Sequence, residues 1–548
     1  MDLLTNLATG FGVALSLQNL AFALGGVFIG TLIGVLPGLG PVPAIAMLLP
    51  SIYTLEPTAA LIMLAGVYYG AQYGGSTTAI LINLPGESSS IVTAIDGYQM
   101  ARKGRAGAAL AAAGLGSFFA GCVGTLVLAA FAPALAGIAF AFGPAEYAAL
   151  MLLGLIGAVV LASGSVIKAV GMVLLGLLLG QINTDPLSGV ERFSFGIPEL
   201  TDGLGFVAVA MGLFGFGEII GNLNRPPQSR EVFTRDVKNL WPTGEDFRQA
   251  MPAVLRGTAL GSLLGVLPGG GAILASFASY TLEKRVSKTP ERFGHGAIEG
   301  VAGPESANNA AAQTSFIPML TLGIPPNPVM ALMIGAMVVM GIAPGPKVMV
   351  ENPDLFWGLI ASMWIGNLML IILNLPFIGI WVKLLTVPYR FLFPSIVCFC
   401  VIGLYTLSNN NFDIYLAGVF AVIGFAFIKL RCEAGPLLLG MVLGPMLEEN
   451  LRRTLLVARG DWSVLLTRPI SGTLIAFSVV MLVAALLPAV RKGETTPSVI
   501  NLSHKHQRSS TYEEFFCIDR HRFDRRTDRD SKYGVSTKPY LRRYRCRI

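Results

Sequence analysis

Charge is what this sequence has least of. Only 13% of its 548 residues are Asp, Glu, Lys or Arg, about half the share in soluble proteins. No Lys or Arg precedes Arg102, so a cleaved signal peptide with a basic n-region is not expected and the first membrane helix is read as the insertion signal. Histidine is nearly missing: three of the four, His504, His506 and His521, fall in the last stretch, and His295 sits in a polar segment and reads as solvated. The six cysteines form no CxxC pair and have no histidine at ligand spacing, which argues against a metal site and makes the four before residue 491 small apolar residues. No GxxxxGK[ST], HExxH or GxSxG string occurs, which argues against a P-loop ATPase and two common hydrolase types. No enzyme and no bound cofactor is expected.

What is present is apolar sequence. Hydrophobic residues make up 53% of the chain, with a mean hydropathy of +0.65. Apolar stretches recur through residue 490, and we read an all-α polytopic membrane protein of roughly twelve transmembrane helices. The formal charge of +7 comes from the end of the chain. Residues 491–548 hold 15 of the 39 basic and 7 of the 32 acidic residues, leaving 24 basic against 25 acidic before them. The basic pI therefore points to no nucleic-acid partner; the partner of the body is the lipid bilayer.

Four segments follow: an N-terminal membrane half (1–221), a basic loop (222–256), a C-terminal membrane half (257–490) and a hydrophilic, Arg-rich tail (491–548). The cluster Arg102-Lys103-Gly104-Arg105 and the loop with Arg225, Arg230, Arg235, Lys238, Arg248 and Arg256 belong in the cytoplasm by the positive-inside rule. The tail cannot bury enough apolar surface to fold alone. It is read as disordered or as frame-shifted sequence, with a lipid-associated cytoplasmic tail as the functional alternative.

One phrase occurs twice, 231 positions apart. Gly30-Thr31-Leu32-Ile33-Gly34-Val35-Leu36-Pro37-Gly38-Leu39-Gly40 returns as Gly261-Ser262-Leu263-Leu264-Gly265-Val266-Leu267-Pro268-Gly269-Gly270-Gly271, with eight identities. Interrupted hydrophobic segments in corresponding places of two halves point to a carrier's binding site. At membrane depth such a break is tolerated only inside protein or beside a water-filled cavity. It frees N–H groups at the start of the next half-helix, where an anion can sit. A single Pro-Gly break can also be a mere packing kink; its duplication favours function. The sequence leaves parallel or inverted orientation of the two repeats open.

Polar residues gather near both breaks. Gly74-Gly75-Ser76-Thr77-Thr78, Asn83 and Gly86 stand in or beside apolar sequence in the first half. Asn308, Asn309, Gln313, Thr314 and Ser315 precede Pro325 in the second. Hydroxyls and amides would hold a carboxylate without opposite charge, although Ser and Thr also pack routinely between membrane helices. Leu84-Pro85-Gly86-Glu87 and Ile324-Pro325-Pro326-Asn327 stand 240 apart, extending the duplication. Among the carboxylates Glu87, Asp96, Asp185, Glu218 and Glu305, we take Glu87 and Glu305 as candidates for a coupling cation. Lys168 can snorkel to the interface.

These strings carry a resemblance. Gly34 to Gly40, Tyr69-Gly70-Ala71-Gln72-Tyr73-Gly74-Gly75-Ser76-Thr77-Thr78 through Glu87, Asp96-Gly97-Tyr98, Pro304-Glu305-Ser306-Ala307-Asn308-Asn309 and Leu320-Thr321-Leu322-Gly323-Ile324-Pro325 closely resemble the large membrane subunit of the tripartite tricarboxylate transporters, over about residues 1–490. The resemblance implies a bacterial inner-membrane secondary carrier that works with a small membrane subunit and a periplasmic solute-binding protein. It also implies uptake of citrate or a related carboxylate with Na⁺ or H⁺. The other readings are a stand-alone permease or channel and, least favoured, an intramembrane enzyme. The expectation for the site is that both Pro-Gly breaks face each other, with the Ser76–Thr78 and Asn308–Ser315 clusters beside them.

Overall fold

The structure, a computed structural model, describes residues 3–36, 40–139, 141–161, 165–185, 188–223, 240–267, 271–345, 347–384 and 389–491. By internal contacts residues 1–485 make one unit, and the account below concerns it. The tail from residue 492 lies outside the described residues.

Helices α1 (Leu3–Ala14) and α2 (Leu17–Val35) open the chain; Ser16 caps α2 by accepting from the Asn19 N–H at 3.3 Å. After the first break come α3 (Pro41–Ile52) and α4 (Pro57–Ile82), each started by proline, whose fixed φ suits a first helical turn. Then follow α5 (Ile91–Arg102), α6 (Ala106–Ala139), α7 (Pro144–Leu161) and α8 (Val166–Gly180). A two-stranded antiparallel ribbon, β1 (Asn183–Thr184) with β2 (Glu191–Arg192), leads to α9 (Phe206–Ala210), a π-helical turn Met211–Phe216 and α10 (Gly217–Leu223). It is the only sheet among the described residues.

Beyond residue 240, α11 (Gly244–Val266) starts at a capping box between Thr243 and Asp246, and α12 (Gly271–Val286) follows the second break. Next come α13 (Glu299–Thr314), α14 (Phe316–Leu322), α15 (Pro328–Val339), α16 (Val348–Glu351), α17 (Pro353–Asn374), α18 (Ile378–Leu384) and α19 (Tyr389–Ser408). The last are α20 (Phe412–Leu430), α21 (Gly435–Val457), α22 (Val464–Thr467) and α23 (Pro469–Arg491).

The architecture is all-α, and two of its helices form the centre. All of α4 except Pro57 and Met63 is buried, as is all of α13 after Glu299. Each is gripped by the helix before its break through a seam of glycines. A Cβ on Gly26, Gly30 or Gly34 of α2 would overlap the carbonyl oxygens of Met63, Val67 and Ala71 in α4. Added to Gly257, Gly261 or Gly265 of α11, it would overlap the backbone of Gly303, Ala307 and Ala311 in α13. Such contact of backbones is the membrane mode of helix packing, which relies on small residues rather than on a hydrophobic drive. The glycines of the two seams stand 231 apart and their partners 240 apart, so both seams have one register. The ends match too: Asn83 after α4 and Gly323 after α14, 240 apart, are both left-handed, with φ of 56° and 69°. Outside this pair, α6 packs on α13 and α17 on α4.

Length and composition alone mark four of the described helices as able to cross a membrane: Leu17–Val35, Ala106–Phe131, Pro353–Asn374 and Phe412–Leu430. Seven apolar helices are shorter. The sequence blocks behind the expected dozen therefore resolve into a few full-length spans and many short or half helices.

Candidate functional site: a cavity at the helix breaks

A cavity of about 560 Å³ lies where the two interrupted segments meet. Gly40 and Pro41, which start α3, and Gly271 and Ala272, which start α12, line it together. So do the turns that follow α4 and α14, Pro85–Ser89 and Pro325–Asn327, and the residues Tyr68, Gln72, Phe214 and Glu433. The break residues Pro37, Gly38, Pro268, Gly269 and Gly270 lie outside the described residues; their described flanks share this one cavity. Among the described lining residues there is no Lys, Arg or His.

The helix starts differ from the simple expectation of freed amides. Pro41 and Pro43 remove two of the first three N–H groups of α3, and the Ala44 N–H already donates to the Gly40 carbonyl at 3.4 Å. At α15 Pro328 has no N–H, and the Asn327 side chain caps the Met330 N–H at 3.0 Å. Of α3, α12 and α15, whose starts line the cavity, only α12 lacks a proline, its Gly271 at φ +43°, so first-turn N–H groups are least depleted there.

Behind the cavity the halves are laced through two carboxylates. Glu305 on α13 is 1% exposed; it accepts from Ser76 Oγ of α4 at 2.6 Å and from the Thr93 hydroxyl of α5. Glu87 accepts from Asn308 Nδ2 of α13 at 3.2 Å and from the Ser89 hydroxyl, and Ser89 also bonds Gln72 Oε1 at 3.0 Å. No ion pair reaches either glutamate among the described residues. A carboxylate inside a membrane protein is costly unless its charge is matched, and here each is met by hydrogen-bond donors alone.

Several sequence candidates make contacts within the protein that position the helices. Thr78 Oγ1 donates to the Val35 carbonyl at 3.0 Å, and Ser315 Oγ donates to the Gly265 carbonyl at 3.3 Å; both hydroxyls thus tie down the helix that ends at a break. Gly74 gives α2 room, and Gly75 and Gly86 let the 85–89 turn lie against α4. Asn83 is an exposed C-cap that lines no part of the cavity. Asn309 donates to Ser117 Oγ at 2.7 Å, Thr314 bonds back to the Ala310 carbonyl at 3.1 Å, and neither polar atom of the Gln313 side chain has a partner among the described residues. Ser76 and Thr77 line a smaller cavity deeper in the protein. The polar stretch of the second half lies in the buried helix α13 and at its end.

Asp96, Asp185, Lys168 and His295 line no part of the cavity. Asp96 accepts from the N–H groups of Gly294, Gly296 and Ala297 at 2.9, 2.7 and 2.9 Å and from the Tyr280 hydroxyl at 2.9 Å, locking the 294–297 turn onto α5. Asp185 pairs with Arg192 and Arg452. Lys168 is exposed and donates to the Leu430 carbonyl at 2.6 Å, and His295 is exposed. The Glu218 side chain is outside the described residues. Tyr68, Gln72, Ser89 and Asn327 went unselected on sequence grounds. Gln72 carried a usable signal, an amide one turn before Ser76 within an apolar helix.

Long apolar helices around a buried polar cavity define a helical membrane protein. The chain belongs to the Tripartite tricarboxylate transporter TctA family, whose profile matches residues 20–439. This is a family of transporters, not enzymes, and its members generally work with small membrane and periplasmic binding subunits. An uncharacterised 52.8 kDa protein of the TAR-I ttuC' 3' region of Agrobacterium vitis is 62% identical over 491 residues, 90% of this chain and 98% of its own length. A second uncharacterised protein of that organism, in the TAR-II ttuC' 3' region, is 63% identical over 231 residues, 42% of this chain and 96% of its own. No solved structure matches.

Proposed function

We propose that this protein is the large, multi-pass subunit of a binding-protein-dependent secondary transporter in a bacterial inner membrane. It takes up citrate or a related di- or tricarboxylate together with a cation, Na⁺ or H⁺. The carrying observation is the cavity at the two breaks, which holds Glu87 and no basic side chain among its described lining. A carboxylate substrate there adds negative charge to negative charge, and only accompanying cations can balance it. Amides of α12 and neutral donors such as Gln72, Ser89 and Asn327 suit the substrate's oxygens, and Glu87 and Glu305 suit the coupling ion. The shared register of the glycine seams supports two internal repeats, whose relative rocking or sliding would open the cavity to either side.

Reconstitution tests the tripartite reading. Labelled citrate uptake into proteoliposomes should require the small membrane subunit and the solute-binding protein. Equal uptake when the binding protein is left out would favour a stand-alone permease and overturn it.

A further inference from the structure

We propose that an anionic phospholipid binds along the outer faces of α12 and α5, its chains on an apolar stripe and its headgroup phosphate on the cations at the stripe's end. At 3.6 residues per turn, Ile273, Leu274, Phe277, Lys284 and Arg285 share one side of α12, and Lys288 follows just past its end. All six are exposed, while Ala275, Ser276, Ser279 and Glu283 on the opposite side are buried. The order along the exposed side is apolar first and cationic last. Helix α5 repeats it: Ile91 and Ile95 are exposed, and Arg102 stands exposed in the last turn. The two helices are neighbours, joined by the Tyr280 hydroxyl on Asp96 at 2.9 Å, and both stripes start at the large cavity, which Ile91 and Ile273 line.

The length of the stripes fits one leaflet. Ile273 to Lys284 and Ile91 to Arg102 are both steps of 11 residues, about 16 Å of helix, and half of a ~30 Å hydrocarbon core is about 15 Å. A surface that is apolar for the depth of a leaflet and cationic at its edge matches a phospholipid rather than a soluble anion. Pairing sets these cations apart from others on the same face, where Lys103 Nζ ties the turn after α5 to the His295 carbonyl at 2.6 Å. There Arg105, Arg256 and Arg292 hold Asp246, Glu283 and Glu299, whereas Arg102, Lys284, Arg285 and Lys288 have no acidic partner among the described residues. By the positive-inside rule this face is cytoplasmic, and basic residues at the cytoplasmic ends of membrane helices attract anionic headgroups. The bound lipid would border the cavity where both stripes begin. The inference needs the helices in a bilayer and no particular substrate.

The test uses the full-length chain, delipidated in detergent and probed with phosphatidylglycerol, phosphatidylcholine and inorganic phosphate. Thermal midpoints should rise saturably with phosphatidylglycerol and not with phosphatidylcholine or phosphate. A variant carrying Lys284→Gln, Arg285→Gln and Lys288→Gln should melt as the wild type does without lipid, since no ion pair is lost, yet raise the half-saturating phosphatidylglycerol concentration at least tenfold. Arg102→Gln should shift it in the same direction. Arg248→Gln removes another exposed cation, near the start of α11 and off both stripes, and should leave it unchanged. An equal rise with phosphatidylcholine would mean a coat of bulk lipid, an equal rise with phosphate a soluble anion, and an equal shift in Arg248→Gln only a diffuse positive field; each overturns the site. Should the triple variant melt lower without lipid, Arg102→Gln alone decides, and an unchanged half-saturation there overturns the site.

Discussion

Glu305 is the residue on which both halves converge, held by Ser76 of α4 and Thr93 of α5 while its own helix supplies Asn308 to Glu87. Glu305→Gln keeps the shape, removes the charge and turns one of the two accepting oxygens into an amide donor, which the Ser76 hydroxyl can accept while it donates to the Gln72 carbonyl. Cation-driven carboxylate uptake should fall at least tenfold, with insertion and thermal midpoint little changed; undiminished uptake would remove Glu305 from the coupling machinery. A second residue-scale prediction concerns Asp246, outside the spans. Its partial burial raises its pKa, but hydrogen bonds from Arg105 and Thr243 outweigh this and hold the carboxyl below its ordinary 3.8. With the folded value depressed, the stabilisation is complete above the ordinary value and is lost as pH falls through the folded one. Arg105 is 44% exposed, so the pair is worth about 1 kcal/mol or less. The melting difference between wild type and Asp246→Asn should stay constant from about pH 8 to 5 and shrink only below the ordinary carboxylate range.

At the scale of elements, the seams make a sharp contrast within one helix. Gly25 of α2 has open space where a Cβ would go, whereas a Cβ on Gly26 would overlap the Met63 carbonyl. Gly25→Ala should be neutral or stabilise by up to about 1 kcal/mol through helix propensity. Gly26→Ala should destabilise by about 1–3 kcal/mol through overpacking, read as thermal midpoint in detergent. Equal behaviour of the two variants would contradict the seam. The seams were half legible in the sequence. The repeated Pro-Gly phrase marked the helix ends, because proline and glycine act locally. Helix α13 was not legible as a buried element: Glu305, Asn308, Asn309 and Gln313 stood out as site candidates, but their neighbours, Ser76, Ser117 and the Asn308–Glu87 contact, come from residues some 190 to 230 positions away. Hydropathy sees a residue's own polarity and not the partner that fold supplies. For the same reason nothing in the sequence marked Asp96 as a clamp for three amides of a distant turn.

At the scale of the whole molecule, two segments of matched register bring two helix starts and two helix-ending turns to one cavity. That cavity carries carboxylate and neutral groups but, among the described lining, no cation of its own. On the proposed function the charge balance comes from ions that travel with the substrate, which would separate a coupled carrier from a passive pore. The most direct measurement is labelled citrate uptake against its own concentration gradient, in proteoliposomes carrying the chain with the two proposed partner subunits and no ATP. Accumulation above equilibrium under an inward Na⁺ or H⁺ gradient, collapsing when an ionophore dissipates that gradient, is the result the account predicts. Uptake that only levels the two compartments, at the same rate with or without the ion gradient, would contradict it.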